Sequence, residues 1–299
     1  VGALKLVSTE NMPYQEWLQL RKKGLGGSDA GSVAGFSKYR SPISVWLEKT
    51  GKVQPSQEES QAARFGRKLE PVVADEFAER TGLKVEPIHE MLQHRDYPFM
   101  LANLDRLIYE DGKQGVLECK TADKYFASEW DDEKIPDHYY LQVQHYLAVT
   151  GLQFAYIAVL IGGNDFRHKR VDRNDEVISH LIKIESDFWR LVEEDIPPAM
   201  DGAETTAEMI KQLYPESNGQ EIILPNEAME WLEQYHEAAA RIKEYEFLKT
   251  EAQNKIMYAM KDYAIGWIGE KKVTRSVIAE KQMNFVKKAH TRLYLPKSS

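Results

Sequence analysis

Residues 104–120 read Leu104-Asp105-Arg106-Leu107-Ile108-Tyr109-Glu110-Asp111-Gly112-Lys113-Gln114-Gly115-Val116-Leu117-Glu118-Cys119-Lys120. Asp-Gly between two apolar runs is a strong signal for a two-residue hairpin turn, because both central positions of a type I′ turn need positive φ. With Asp111-Gly112 at the turn, Glu110 pairs with Lys113 and the same register sets Asp105 opposite Glu118. Directly opposed residues share a face, with Cβ atoms about 4.5–5.5 Å apart. Glu118 and Lys120 alternate with Cys119 and so project together, about 6.6 Å apart along the strand. A slip of one residue would send the carboxylates to the other face.

An acid two residues before a lysine is common by itself; this chain has another at Glu270 to Lys272, and aspartate variants at Asp111 to Lys113 and Asp132 to Lys134. The hairpin is what distinguishes Glu118-Cys119-Lys120. Two buried carboxylates at that separation repel unless a cation lies between them, and a hard divalent ion with oxygen ligands is the natural occupant. A lysine beside it can orient water or neutralise charge on phosphorus. The bland reading is a solvated acid–base cluster on an edge strand; apolar Phe99, Leu101, Val116 and Leu117 weigh against it.

Working outward, residues 85–91, 99–109 and 114–121 carry the alternation of strands, and 154–161 reads as a buried strand. Residues 11–50 read as helix, turn, helix, with Ser28 and Asp29 as caps of the second helix. Helices are expected over 61–80, with Leu69, Val73 and Phe77 in a row, over 136–149 and over 175–195. The prolines 197 and 198 and the polar residues 201–206 mark a boundary. These divisions give a domain over 1–199, a linker over 200–225 and an accessory region over 226–299. In that last region Asn226 caps a long helix with a narrow apolar stripe, followed by a hairpin turning at Gly269. This region is expected to serve protein–protein contact or oligomer support. The fold class is α/β of the α+β kind, a central mixed sheet flanked by helices with a helical C-terminal extension.

The 299 residues include 42% apolar residues, enough for a substantial core, and one cysteine, which excludes a disulfide framework and cysteine-ligated zinc or iron–sulfur centres. Thirty-nine basic against 47 acidic residues give a net charge of −8, so any polyanion site must be local. Residues 21–70 carry ten basic and five acidic residues, and residues 281–299 carry five basic and none acidic. Both segments are candidates to face phosphate, or ordinary solvated surface. Neither an export signal nor a membrane span is read, which points to the cytoplasm.

Asp105 followed by Glu118-Cys119-Lys120 resembles the PD-(D/E)XK nuclease core, with Leu104 where the name has proline. Three further blocks narrow the likeness: Arg21-Lys22-Lys23-Gly24-Leu25-Gly26-Gly27-Ser28-Asp29-Ala30, Phe65-Gly66-Arg67-Lys68-Leu69-Glu70, and Tyr140-Leu141-Gln142-Val143-Gln144-His145-Tyr146. Together, over residues 14–165, they resemble the YqaJ-like viral recombinase family, similar to phage lambda exonuclease. The resemblance implies a restriction-endonuclease-like core. It further implies that Asp105, Glu118 and the Cys119 carbonyl hold Mg²⁺ or Mn²⁺, and that Lys120 positions the hydrolytic water. Glu70 supports the metal site, Gln142 contacts nucleophile or substrate, and Arg21 and Ser28 meet a 5′-phosphate. His145 is read as packing and Cys119 as a core residue.

The expected function is a metal-dependent exonuclease of a phage or prophage in a bacterial cytoplasm, resecting double-stranded DNA ends 5′ to 3′ to leave 3′ single strands. Its expected partners are duplex DNA ends, a single-strand annealing protein and further copies of itself in a ring, with no membrane. Alternatives are a structure- or sequence-specific endonuclease on the same core and a catalytically silent DNA-binding or assembly module.

Overall fold

The computed structural model describes residues 2–53, 60–132, 134–277 and 296. Its elements in chain order are β1 (Leu4–Ser8), α1 (Tyr14–Arg21), β2 (Leu25–Gly26), α2 (Gly27–Val33), α3 (Pro42–Lys49), α4 (Gln61–Thr81), β3 (Lys84–Pro87), β4 (Glu90–Gln93), β5 (Met100–Asn103), β6 (Arg106–Glu110) and β7 (Lys113–Ala122). A short 3₁₀ turn, Lys124–Trp130, leads to α5 (Asp137–Thr150), β8 (Phe154–Ile161), β9 (Asp165–Asp172), α6 (Asp175–Glu193), α7 (Glu204–Leu213), α8 (Ala228–Met260), β10 (Ile265–Ile268) and β11 (Lys271–Thr274). The chain divides into two units, Val1–Leu213 and Tyr214–Ser299.

The central sheet of the first unit runs β3-β6-β7-β8-β9, with only the β7–β8 pair parallel. β6 and β7 form the anticipated hairpin. Asp111 and Gly112 have φ of 49° and 73°, and the pairs Glu110↔Lys113 through Arg106↔Leu117 keep the expected register. Asp105 is the residue before β6, one step further along that register toward Glu118. The parallel β7–β8 pair requires a crossover, and α5 supplies it.

The sheet is covered on both faces. Val116 belongs to the cluster containing Val143, Tyr146 and Leu147 of α5 together with Ile157 and Val159 of β8. Leu117 and Cys119 face the other way and pack with Val73, Ala74 and Phe77 of α4. A third cluster joins Leu25, Ile43, Trp46 and Leu47 to Phe188 of α6. Of the anticipated α4 row, Val73 and Phe77 are core while Leu69 is half-buried, and Gly82 closes the helix with φ of 70°. No helix among the described residues is long and apolar enough to cross a membrane.

Several boundaries differ from the sequence expectations. Residues 85–91 are not one strand: β3 edges the central sheet, whereas β4 pairs with β1 and β5 in a second sheet of order β1-β4-β5-β2. Residues 99–109 likewise divide at Leu104-Asp105, where the chain passes between sheets and the Asp105 carboxylate accepts the Cys119 N–H at 2.8 Å. Alternation cannot reveal such a change of sheet, since apolar residues continue on both sides. β9 escaped the periodicity because Arg167, His168, Lys169 and Arg170 break it; as an edge strand it carries charges that discourage pairing with another chain. The segment 27–49 is two helices, and α2 is capped by Gly26 rather than Ser28 or Asp29; Asp29 reaches back to accept the Gly26 N–H at 3.0 Å.

Helix α7 packs within the first unit: the Thr206 hydroxyl donates to Ser41 Oγ at 2.8 Å, and Met209 and Leu213 join the third cluster. In the second unit the cap of α8 is Glu227, one residue after the expected Asn226, and β10 and β11 turn at Gly269. The basic stretch expected at 281–299 lies, apart from Pro296, outside the described residues.

His145 does more than fill space. Its ring and Glu185 of α6 are both fully buried, Nδ1 lies 2.8 Å from the carboxylate, and Nε2 lies 2.9 Å from the Leu101 carbonyl. This ties α5 to α6 and β5. Burial opposes the imidazolium charge, but Glu185 and the Leu101 carbonyl outweigh it and raise the His145 pKa above its usual 6.5. The added stability is therefore fully present below that value and lost as pH rises through the folded-state value. Glu185→Ala should lower the unfolding free energy at pH 6 by about 1–3 kcal/mol, since it leaves the buried Nδ1 of His145 without a partner. Urea unfolding should show that difference narrowing as pH rises.

Candidate active site

The hairpin and α5 bring four of the sequence candidates together. Lys120 Nζ lies 2.6 Å from Glu118 Oε1 and donates to Gln142 Oε1 at 3.1 Å. The Gln142 amide in turn donates to Glu118 Oε1 at 2.6 Å and to the Tyr146 hydroxyl at 2.9 Å. Gln142 and Tyr146 are one helical turn apart and so face β7 together. The Lys120 ammonium also sits over the Tyr139 ring, 4.7 Å from its centroid. Glu118 is 3% exposed and Lys120 18% by side chain, so the charges meet where water screens them weakly.

Burial and the neighbouring Glu118 carboxylate push Asp105 up to about 7, with Lys120 and the Cys119 N–H opposing. For Lys120 burial works against the charge, but Glu118 and Asp105 outweigh it and hold the ammonium above its ordinary value. This amine stays protonated at neutral pH, which suits charge neutralisation and orientation rather than proton abstraction. Burial together with Asp105, Glu118 and Glu70 drives the Cys119 thiol far up, so it is no nucleophile.

Glu70, on α4, accepts from Arg106 at 2.7 Å; burial and Asp105 raise its pKa. It stands close to the acidic pair, but an arginine holds it. Among the described residues no three His, Cys, Asp or Glu side chains converge as a metal-binding group. The groups that could offer oxygen to a cation are the Asp105 and Glu118 carboxylates, with the Cys119 carbonyl next to Glu118 in the chain. One or two carboxylates with the remaining positions left to water and phosphate is the usual set for Mg²⁺. The fit rests on an orphaned atom: Glu118 Oε2 is buried with no hydrogen-bond partner. A buried carboxylate oxygen left bare beside a second carboxylate is a place for a cation.

The other two candidates, Arg21 and Ser28, lie at a separate subsite. The Arg21 guanidinium donates to Ser28 Oγ at 2.8 Å and packs over the Trp17 ring, 4.9 Å from its centroid. Beneath them Asp29 is fully buried, with Lys49 Nζ at 2.7 Å, Arg40 at 2.7 Å and Arg21 at 3.6 Å. Although burial raises its pKa, those three cations hold the carboxyl well below its ordinary range. α2 meets α5 through Gly27, where a Cβ would stand 2.4 Å from the Tyr146 ring. Glycine is what lets the two helices approach this closely.

Sequence reasoning left Arg106, Arg40 and Lys49 unassigned, and read Asp29 only as a cap. Arg40 and Lys49 belong to the basic stretch 21–70; what was missing was the buried acid on which that stretch converges.

The YqaJ-like viral recombinase domain matches residues 16–153. The chain is 43% identical to the YqaJ protein of Bacillus subtilis (strain 168) over 268 residues, 88% of this chain and 83% of that one. It is 24% identical over 222 residues to a protein of Acanthamoeba polyphaga mimivirus, covering 71% of this chain and 36% of that one. Among solved structures it shares its fold with the alkaline exonuclease LHK-Exo of Laribacter hongkongensis, with TM-score 0.53 and 21% identity over 67% of this chain and 100% of that one. The complex of LHK-Exo with dAMP matches with TM-score 0.51 and 20% identity, over 66% of this chain and 96% of that one. The hairpin, the parallel β7–β8 crossover and the flanking α4 and α5 make the PD-(D/E)XK fold, and the chain belongs to the YqaJ-like viral recombinase family.

Proposed function

We propose that the protein is a metal-dependent deoxyribonuclease that resects double-stranded DNA ends 5′ to 3′, leaving 3′ single strands for an annealing partner. The observation that carries this reading is Lys120 and Gln142 gathered on one oxygen of the buried Glu118 carboxylate while its other oxygen is left bare, with Asp105 close enough to feel the Glu118 charge. Asp105, Glu118 and the Cys119 carbonyl would hold Mg²⁺, for which Mn²⁺ substitutes. Bound there, the ion supplies Lewis acidity toward the phosphate and lowers the pKa of attacking water.

The chain's own groups do the rest. Lys120, held by Glu118 and Gln142, offers its one remaining N–H to water or to a non-bridging phosphate oxygen. Its fixed positive charge favours the extra negative charge that accumulates at phosphorus during in-line attack. Gln142 is oriented at its amide nitrogen by Glu118 and Tyr146, so its contacts are set before substrate arrives. The products would be a 5′-phosphate and a 3′-hydroxyl.

End dependence rests on Arg21 and Ser28. Ser28 is exposed and Arg21 partly so, and a guanidinium beside a hydroxyl suits a terminal phosphate. A ring of copies around the duplex would reconcile a net charge of −8 with a basic local surface. With Mg²⁺, linear duplex should be digested while covalently closed circular duplex stays intact, and 5′-phosphorylated ends should be consumed faster than 5′-hydroxyl ends. Gel assays of the three substrates decide it. Cleavage of the circle would make the protein an endonuclease on the same core. No hydrolysis with either Mg²⁺ or Mn²⁺ would leave a DNA-binding module.

A further inference from the structure

Under the Arg21 and Ser28 subsite lies a set of buried charges that the proposed reaction does not use. Lys49 Nζ donates to the Arg21 backbone carbonyl at 2.8 Å and pairs with Asp29 at 2.7 Å. Asp29 in turn faces the Arg21 guanidinium at 3.6 Å and accepts the Gly26 N–H at 3.0 Å, immediately before α2. The Lys49 side chain is 4% exposed, so it cannot itself meet a substrate. Any effect it has on the subsite must pass through Arg21.

Arg21 needs such support. It ends α1, a helix that buries none of its residues, so packing of α1 on the core does little to hold the guanidinium in place. Lys49 ends α3, whose Ile43, Trp46 and Leu47 are anchored in the third core cluster. The Lys49–Asp29 pair thus transfers the rigidity of α3 to both the backbone and the side chain of Arg21. Stability alone is a poor explanation, because a buried ion pair is commonly matched or bettered by apolar packing of the same volume. Arg21, Arg40 and Lys49 also outnumber Asp29 and Glu48, to which Arg40 donates at 2.6 Å. The cluster keeps one positive charge in excess, which an incoming anion can complete.

We propose that Lys49 and Asp29 are positioning residues for recognition of 5′-phosphorylated DNA ends, a buried clamp that sets the Arg21 guanidinium beside Ser28. The inference rests on the reading of Arg21 and Ser28 as the phosphate subsite. It assigns the selectivity of that subsite to two residues that do not touch substrate.

The test compares kcat and KM of the full chain on linear duplexes with 5′-phosphate and 5′-hydroxyl ends, in Mg²⁺. Lys49→Met should raise KM for phosphorylated ends roughly 10-fold and shrink the phosphate preference by the same factor, since a displaced contact is felt steeply. Its kcat should stay within about twofold, because the chemistry lies at another cluster. Asp29→Asn, which keeps the shape, should act in the same direction and serves if Lys49→Met fails to fold. Val171→Ala is the control: it damages a different core cluster, at β9, away from α1, α2 and α3, and should leave the preference unchanged. The proposal is overturned if Lys49→Met or Asp29→Asn slows both substrates equally, or if Val171→Ala erodes the preference as much as they do. A wild-type protein indifferent to the terminal phosphate instead refutes the Arg21 and Ser28 reading, a result visible before any variant is made.

Discussion

Lys120→Ala is expected to cut single-turnover hydrolysis of linear duplex by roughly 10³-fold, the cost of losing a preorganised charge at a developing anion. The reason is geometric. The ammonium is fixed by Glu118 at 2.6 Å and Gln142 at 3.1 Å, so it needs no reorganisation when phosphorus gains charge. Glu118→Gln should be as damaging, but for a different reason, because it removes a carboxylate that would hold the cation. Mn²⁺ titration by calorimetry separates the two: Lys120→Ala should retain metal binding, while Glu118→Gln should lose most of it. Removing Lys120 also strands Glu118 and Asp105 together, so the metal-free variant should be less stable, and divalent metal should restore it by linkage. Activity of Lys120→Ala within tenfold of the wild type would remove the lysine from the chemistry.

The second large effect concerns pH. Asp105, pushed from 3.8 up to about 7 by burial and by Glu118, keeps its proton in the folded metal-free state where the unfolded chain has lost it. The folded state therefore binds more protons between those values, and its stability falls as pH rises through that window. Comparing wild type with Asp105→Asn in metal-free urea unfolding isolates the contribution. The wild type should lose stability relative to the variant between about pH 4 and 7. Saturating Mg²⁺ should reverse the loss, because a cation favours the ionised carboxylate that the empty site disfavours.

Catalysis should follow the opposite slope. At subsaturating Mg²⁺ hydrolysis should rise with pH, and more metal should move that limb to lower pH, because protons and metal compete for one carboxylate whose proton is held above the ordinary range. A limb that ignores metal concentration would assign the titration to another group. A metal-free stability difference that is flat over the same range would show that Asp105 is not held protonated by its neighbours.

The heart of the fold was readable along the chain because its determinants are local. Asp111-Gly112 selects a turn with two positive φ values, the turn fixes the pairing from Glu110↔Lys113 to Arg106↔Leu117, and the period of two places Glu118 and Lys120 together. The strand at 154–161 and the helices closing at Gly82 and Gly151 are local in the same sense, since a buried run or a left-handed cap depends on neighbouring residues. Gln142 is local in this sense too, since its spacing of three and four residues from Tyr139 and Tyr146 puts all three on one face of α5.

Other features exist only after folding. The passage between sheets at Leu104-Asp105, the Arg106 hold on Glu70 and the His145–Glu185 pair join residues far apart in sequence, and no periodicity marks them. The same holds for Asp29: its sequence context reads as a helix cap, and only the packing of α1, α2 and α3 surrounds it with Arg21, Arg40 and Lys49. Turn chemistry and side-chain alternation act over a few residues and are written in their order. Buried electrostatics depend on which distant charges the core brings within a few ångströms, and on how much water it removes from between them.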